Sequence, residues 1–151
     1  MRLCVLALAA LLAACAAQAQ TPAPVEHITP PGWERARDDY HYTPAVRAGD
    51  FVFVSGVPAG RAPGEESDDP GYDRAFHAIA GLLAAAGADW SDVVEMTTYH
   101  TDLPSQFAAF SAVKDRYVSA PYPAWTAIDI DRLLPDGASV EIRVTAYAPR
   151  D

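Results

Sequence analysis

Two short runs of aromatic and β-branched residues open the patterned part of the chain. They cover Tyr42 to Arg47 and Phe51 to Ser55, and Ala48-Gly49-Asp50 between them suits a tight turn. The two runs predict a β-hairpin whose second strand ends at Gly56. Residues 57 to 69, rich in Pro, Gly and acidic residues, predict a mobile acidic loop.

Two later segments repeat their apolar residues at helical spacing. The first begins at Asp69-Pro70, because Asp caps free N–H groups and Pro fits the first helical position, and it ends at Gly87. The second follows Asp102, with Pro104 near its first position. The two apolar stripes consist of Phe76, Ile79, Leu82, Leu83 and Ala86, and of Phe107, Phe110, Val113 and Tyr117.

Three further strands complete the pattern. They are predicted over Asp92 to Thr101, over Trp125 to Ile130, and after a turn at Asp136-Gly137, where apolar residues alternate with polar ones as far as Tyr147. The order is ββαβαββ, which predicts one α+β domain with two helices on one face of a sheet. The other face is left semi-apolar, so it predicts contact with a partner subunit.

The N-terminal region has a different pattern. A signal peptide is predicted over residues 1 to 19 from a basic start at Arg2, an apolar run and a final Ala17-Gln18-Ala19. The apolar run is too short for a permanent membrane span. Leu12-Ala13-Ala14-Cys15 also resembles a lipobox, in which a signal over residues 1 to 14 precedes a lipidated Cys15. Both readings predict an exported, periplasmic protein, either free or lipid-anchored. Residues 20 to 40 predict an extended leader before a domain over residues 41 to 151.

The composition argues against several classes of function. Eleven Lys and Arg residues against twenty Asp and Glu give a net charge of −9, which disfavours binding to nucleic acid. Both cysteines lie in the signal segment, so thiolate chemistry is excluded from the mature chain. The sequence contains no cofactor fingerprint. The four histidines lack metal-ligand spacing, and Lys114, the only lysine, is predicted at the surface.

Glu141 is the clearest candidate for chemistry. It interrupts an apolar strand, and a buried carboxylate must either be paired or have its pKa raised towards neutrality. Arg143 lies two residues on, hence on the same face of the strand. The simpler interpretation is an ion pair, and the alternative is a catalytic carboxylate.

Five segments together resemble the RidA (YjgF) family over about residues 42 to 148. Tyr42 to Gly56 is similar to the family's opening hairpin, and Tyr99-His100-Thr101-Asp102-Leu103 to a strand-to-helix junction. The other three segments are Leu82 to Ala88 with Asp92-Val93-Val94, Pro121-Tyr122-Pro123-Ala124, and Leu134 to Ile142 with Ala146.

The resemblance implies a chorismate-mutase-like fold and a homotrimer with small-molecule clefts between subunits. It also implies hydrolysis of reactive enamines and imines, derived from amino acids, to a keto acid and ammonia. The implied site residues are Tyr42, Ser55, Gly56 and Glu141. In that chemistry Glu141 positions or activates the attacking water, and backbone groups near Gly56 help hold the substrate.

One departure from the family pattern changes the expected substrate. Active members have an Arg after the Pro-Ala pair, which binds the substrate carboxylate, and this chain has Trp125. An indole offers one N–H and no charge, so a contact worth about 1.5–3 kcal/mol is lost. We therefore expect a neutral or aromatic substrate stacked on Trp125, unless Arg143 supplies the charge. The alternative is a non-catalytic binding protein of the cell envelope.

Overall fold

Six strands form one mixed sheet in the computed structural model, which describes residues 24 to 150. The strands are β1 (Val25–Ile28), β2 (Ala45–Ala48), β3 (Phe51–Gly60), β4 (Val93–His100), β5 (Ala124–Asp129) and β6 (Ala138–Tyr147). The helices are α1 (Glu34–Tyr40), α2 (Asp69–Ala85) and α3 (Leu103–Lys114). The sheet order is β1-β2-β3-β6-β4-β5, and among these neighbours only β4 and β5 run parallel. The predicted α+β fold is confirmed.

The core lies between one face of this sheet and the helices α2 and α3. The predicted stripe of α2 is fully buried, and so are the four alternate apolar residues of β6 that start at Val140. On α3, Phe110 and Val113 are buried but Phe107 is exposed. The predicted helix pattern is therefore confirmed for α2, and for α3 it is confirmed at its centre.

Two turns match the sequence, but two helix ends differ from the prediction: the start of α2, and the end of α3 at Lys114, before Tyr117 of the predicted stripe. Gly49, in the turn between β2 and β3, has φ 60°, and Gly87, just beyond α2, has φ 74°, conformations that suit glycine. The predicted cap at Asp69 is wrong, because Asp69 is already helical and Asp68 precedes the helix. Asp68 forms no capping hydrogen bond, since its carboxylate accepts from Arg61 Nε at 3.3 Å.

β3 is longer than the sequence predicts. It continues through Gly56 to Gly60, because its pairing with β6 shifts register between Val54 and Val57 instead of ending. The predicted acidic loop is thereby shortened at its start. The Glu65 carboxylate in what remains of it pairs with Arg74 of α2 and accepts the Ala62 N–H at 2.7 Å.

The segment predicted as an extended leader contains regular structure. β1 pairs with β2 from Val25↔Ala48 to Ile28↔Ala45, and α1 follows, ending at His41 with φ 53°. The described part of the leader is therefore built into the domain. The predicted signal segment over residues 1 to 19, with Cys15, lies outside the described residues. Between residues 24 and 150, no helix has the length and apolar character needed to cross a membrane.

Candidate functional site

Glu141 projects from the sheet face opposite α2 and α3. Its neighbours Val140 and Ile142 are fully buried on the helix side, so alternation places Glu141 on the other face. Its carboxylate forms no ion pair or hydrogen bond with the residues described, and burial raises its pKa. The ion pair predicted with Arg143 is therefore not formed within the protomer, and the alternative of an unpaired carboxylate fits the geometry.

The irregularity in β3 brings Gly56 against this carboxylate. The register passes from Val54↔Val144 to Val57↔Ile142, so Ser55 and Gly56 together occupy the space opposite one residue of β6. A Cβ atom at Gly56 would overlap Oε1 of Glu141. Only glycine therefore leaves room for the carboxylate at this point, and this contact explains why the residue type matters here.

Tyr42 joins the same cluster from the residues before β2. Its hydroxyl donates a hydrogen bond to the Gly56 carbonyl at 2.9 Å. Burial, followed by the negative charge of Glu141, raises the pKa of Tyr42 to about 12. The phenol is therefore a neutral donor at physiological pH. Ser55 contributes indirectly. Its side-chain hydroxyl donates to the Thr43 carbonyl at 2.8 Å and so fixes the segment that carries Tyr42.

These residues open into a cavity of about 390 Å³. Tyr42, Gly56 and Glu141 line it, and Pro58, Leu134 and Pro135 add apolar surface. The remaining wall consists of Trp33, Ala36 and Tyr40, which belong to α1 or directly precede it. Trp33 also stacks on Tyr42, with ring centroids 6.2 Å apart and planes 19° apart. The result is a small, mostly apolar pocket with one carboxylate in its lining.

Trp125 lies elsewhere. It is in register with Met96, which faces the helices, and its ring stacks on Phe107 at 5.5 Å with an interplanar angle of 5°. Its Nε1 donates to Thr98 Oγ1 at 3.0 Å. One protomer therefore places Trp125 on the face opposite Glu141, so Trp125 does not line this cavity, and the stacking of a substrate on Trp125 stays a prediction.

Other candidates also lie outside the cavity. Arg143 is exposed on the same face as Glu141 but does not line the pocket. Lys114 was predicted at the surface and is instead buried, with its ammonium 5.1 Å from the centroid of the Trp125 ring. Over residues 24 to 150, no group of three or more His, Cys, Asp and Glu side chains is placed to hold a metal ion.

The sequence pattern did not predict two parts of the site. They are the cavity wall formed by Trp33, Ala36 and Tyr40, here called the α1 wall, and one neighbour of Glu141. Tyr99 of β4 is the cross-strand partner of Glu141, on the same face of the sheet. The sequence pattern does not predict Trp33 and Tyr40 as site residues, because the segment between them has no apolar period. The available signal was Trp33 itself, a large aromatic residue that directly precedes a highly charged run.

Comparisons with known proteins agree with this architecture. The family model described as Endoribonuclease L-PSP matches residues 35–148. RutC family protein YjgH of Escherichia coli (strain K12) is 35% identical over 127 residues, which cover 81% of this chain and 94% of that protein. A solved structure of a protein YjgH superimposes with a TM-score of 0.73 at 32% identity, covering 83% of this chain and 98% of that one.

A third relative carries an enzyme name. It is the 2-iminobutanoate/2-iminopropanoate deaminase of Capra hircus, which is 31% identical over 110 residues, covering 70% of this chain and 78% of that protein. The family match spans most of the chain, and the fold superimposes on a solved relative over nearly that relative's whole length. The resemblance seen in the sequence is confirmed: the chain belongs to the Endoribonuclease L-PSP family, the family of RidA and YjgF.

Proposed function

We propose that this protein hydrolyses a reactive imine or enamine to a carbonyl compound and ammonia in the cavity beside Glu141. The observation that carries the proposal is the unpaired, half-buried Glu141 carboxylate facing a cavity next to Tyr42 and Gly56. A relative of the same family is named as an imine deaminase, which supports this reaction class.

The reaction needs one group that both accepts and returns a proton. Water adds to the C=N carbon, so a C–O bond forms and the π electrons move to nitrogen. Glu141 takes the proton that the water loses. The imine nitrogen is protonated at the outset, so the proton that Glu141 returns converts it to an –NH₃⁺ group. The C–N bond then breaks and ammonia leaves as the C=O bond forms, while Glu141 takes the proton that the hydroxyl group loses and passes it to the ammonia, which departs as ammonium. A carboxyl group whose pKa burial raises above its ordinary value suits both halves of this cycle.

Tyr42 and Gly56 contribute position. The phenol donates to the Gly56 carbonyl, which holds the β3 backbone against the Glu141 side chain. Because the pKa of Tyr42 is raised to about 12, the phenol does not compete with Glu141 as a base. The base is therefore the carboxylate, and the phenol and backbone shape its surroundings.

The active assembly in this proposal is a homotrimer. Phe51, Phe53 and Tyr147 form a cluster on the sheet face away from α2 and α3, with exposed fractions of 43%, 39% and 45%. Their ring centroids lie 6.3 Å (Phe51–Phe53) and 5.2 Å (Phe51–Tyr147) apart. An apolar patch of this kind is typical of a surface that another subunit covers. Contact between subunits on this face would place clefts near the Glu141 site.

The proposed location is the periplasm, reached through the N-terminal signal. The support is the sequence pattern of residues 1 to 19 alone. Mass spectrometry of the mature N terminus tests it, because a chain that starts at Gln20 is a free protein and an acylated Cys15 is a lipoprotein. A mature chain that retains Met1 would contradict export by either route.

Ammonia release from imines generated in situ by an amino-acid or amine oxidase tests the reaction. Glu141→Gln keeps the shape and removes the proton acceptor, so we expect a loss of about 100-fold or more above the spontaneous rate. Glu66→Gln is the matched control, because it removes an exposed loop carboxylate outside the cavity. Ligand binding without ammonia release from any imine would favour the binding-protein alternative.

A further inference from the structure

We infer that the cavity accepts an aromatic imine that lacks a carboxylate, the kind formed when an aromatic amine is oxidised. This inference rests on the proposed function for its reaction but on separate observations for its ligand. They are the aromatic wall that Trp33, Tyr40 and Tyr42 form on and beside α1, the charge of the cavity lining, and the engagement of the arginines that flank it.

The first observation is the wall itself. Trp33, Tyr40 and Tyr42 present three aromatic rings to a cavity of about 390 Å³, and Leu134 and Pro135 add aliphatic surface. Tyr40 and Leu134 are largely exposed. An aryl group placed between them would remove apolar surface of both partners from water, which is the main source of affinity in such pockets.

The second observation is the charge of the lining. Glu141 is the only charged side chain among the described residues that line the cavity, and no described group neutralises it. A cationic or N–H-donating ligand would supply the missing partner, and the aromatic rings also attract a cation. A ligand carboxylate would instead be repelled by Glu141.

The third observation concerns the flanking arginines. Arg35 pairs with Asp39 at 3.0 Å, Arg37 with Asp38 at 2.7 Å, and Arg132 with Asp136 at 3.4 Å. Each of these guanidinium groups already has a carboxylate partner from its own segment. These three flanking guanidinium groups are therefore engaged, and Arg143, which is exposed on the same sheet face as Glu141 and pairs with no described carboxylate, does not line the cavity.

The reaction balances for such a substrate. A protonated aldimine, R–CH=NH₂⁺, takes up one water and gives R–CHO and NH₄⁺. No oxidant or reductant is required. The C=N group lies towards Glu141, where the proton is exchanged, and the aryl group R lies against the α1 wall.

Binding can be measured without turnover by using two stable compounds that differ in charge. Phenethylamine carries an aryl ring and an ammonium, and 3-phenylpropanoate carries the same ring and a carboxylate. In isothermal titration calorimetry with the full chain, we expect the amine to bind about tenfold more tightly or better. Equal affinities, the reverse order, or no binding of either compound would overturn the inference.

Variants on α1 test the wall. Tyr40→Ala should weaken phenethylamine binding about fivefold, and Tyr40→Phe, which keeps the ring, should bind like the wild type. Arg35→Lys is the control on the same helix, because it keeps the positive charge that pairs with Asp39, and the Arg35 side chain is 87% exposed and lies outside the cavity. Unchanged binding by a folded Tyr40→Ala protein would show that α1 is not part of the ligand site.

Turnover separates this inference from the proposed function. Ammonia release from the imine of 2-aminobutanoate, without selective phenethylamine binding, would retain the reaction and overturn the aromatic ligand. Selective phenethylamine binding that depends on Tyr40, without ammonia release from any imine, would retain the ligand class and overturn the reaction. Hydrolysis of the phenethylamine-derived imine, lost in Glu141→Gln, supports both.

Discussion

At the scale of single residues, Glu141 and Gly56 act as one unit. The carboxylate occupies space that any side chain at position 56 would need, and the Gly56 carbonyl is in turn fixed by the Tyr42 hydroxyl. A residue whose importance lies in an absent side chain cannot be identified from its own chemistry. It is identified by what lies next to it, which is why the irregularity in β3 matters as much as the glutamate.

Gly56→Ala tests this contact. The added methyl group would displace the Glu141 carboxylate, so we expect kcat/KM for imine hydrolysis to fall about tenfold or more. Gly81→Ala is the control, because Gly81 is exposed in α2 with open space around it and should gain about 0.5–1 kcal/mol. Full activity in Gly56→Ala would contradict the arrangement.

The raised pKa of Glu141 has a consequence for stability. Because its pKa in the folded chain lies above the ordinary value of 4.5, the folded chain holds this proton more tightly than the unfolded chain does. Between those two pKa values, stability therefore falls as pH rises. We expect Glu141→Gln to be more stable than the wild type at about pH 7, with a difference that shrinks below about pH 4. Thermal unfolding of both proteins at the two pH values measures it, and a constant difference would contradict the shift.

At the scale of elements, the sequence predicts correctly those helices and strands whose buried face spaces their apolar residues regularly. β6 and α2 each place an unbroken apolar stripe against the core, so their periods of two and 3.6 are visible in the sequence. The helix α1 has no buried residue, and it is supported by the Arg35–Asp39 pair and by the turn at His41. A short polar helix of this kind has no buried face, so its sequence shows no apolar period. For the same reason, the sequence did not predict that α1 lines the cavity.

A buried arginine joins several of these elements. The Arg47 guanidinium, with the residue 1% exposed, donates to the carbonyls of Ala86 at 2.9 Å and Gly87 at 3.2 Å beyond α2. It also donates to Gly49 at 3.1 Å and to Ala148 at 2.9 Å. It therefore ties together the end of α2, the hairpin turn and the end of β6, an arrangement that no local pattern reveals.

Arg47→Met tests this junction. The substitution keeps the aliphatic volume and leaves buried carbonyls unpaired, so we expect a loss of about 3–5 kcal/mol in the free energy of unfolding. Urea denaturation measures it. Arg35→Met, on an exposed side chain, should change stability by less than about 1 kcal/mol. Equal effects of the two substitutions would show that the buried hydrogen bonds contribute little.

At the scale of the whole molecule, the two faces of the sheet have different roles. One face carries the helices and the core, and the other carries the carboxylate site together with the cluster of Phe51, Phe53 and Tyr147. The sequence anticipated that the second face lacks a full cover, because the alternation in β6 continues into Tyr147. Which surface of a partner covers it depends on geometry between chains, and the pattern within one chain carries no such information.

Phe53→Glu tests the proposed assembly at this face. A charge within the aromatic cluster would have to be buried without a partner when subunits associate, so we expect the trimer to dissociate. Sedimentation velocity should show a trimer for the wild type and a folded single chain for the variant, and imine hydrolysis should fall because the clefts are lost. Ala84→Glu is the control, because Ala84 is exposed on α2, across the sheet from this cluster.

A wild-type protein that sediments as a single chain would contradict the proposed trimer directly. A Phe53→Glu protein that stays trimeric would place the contact between subunits on another surface.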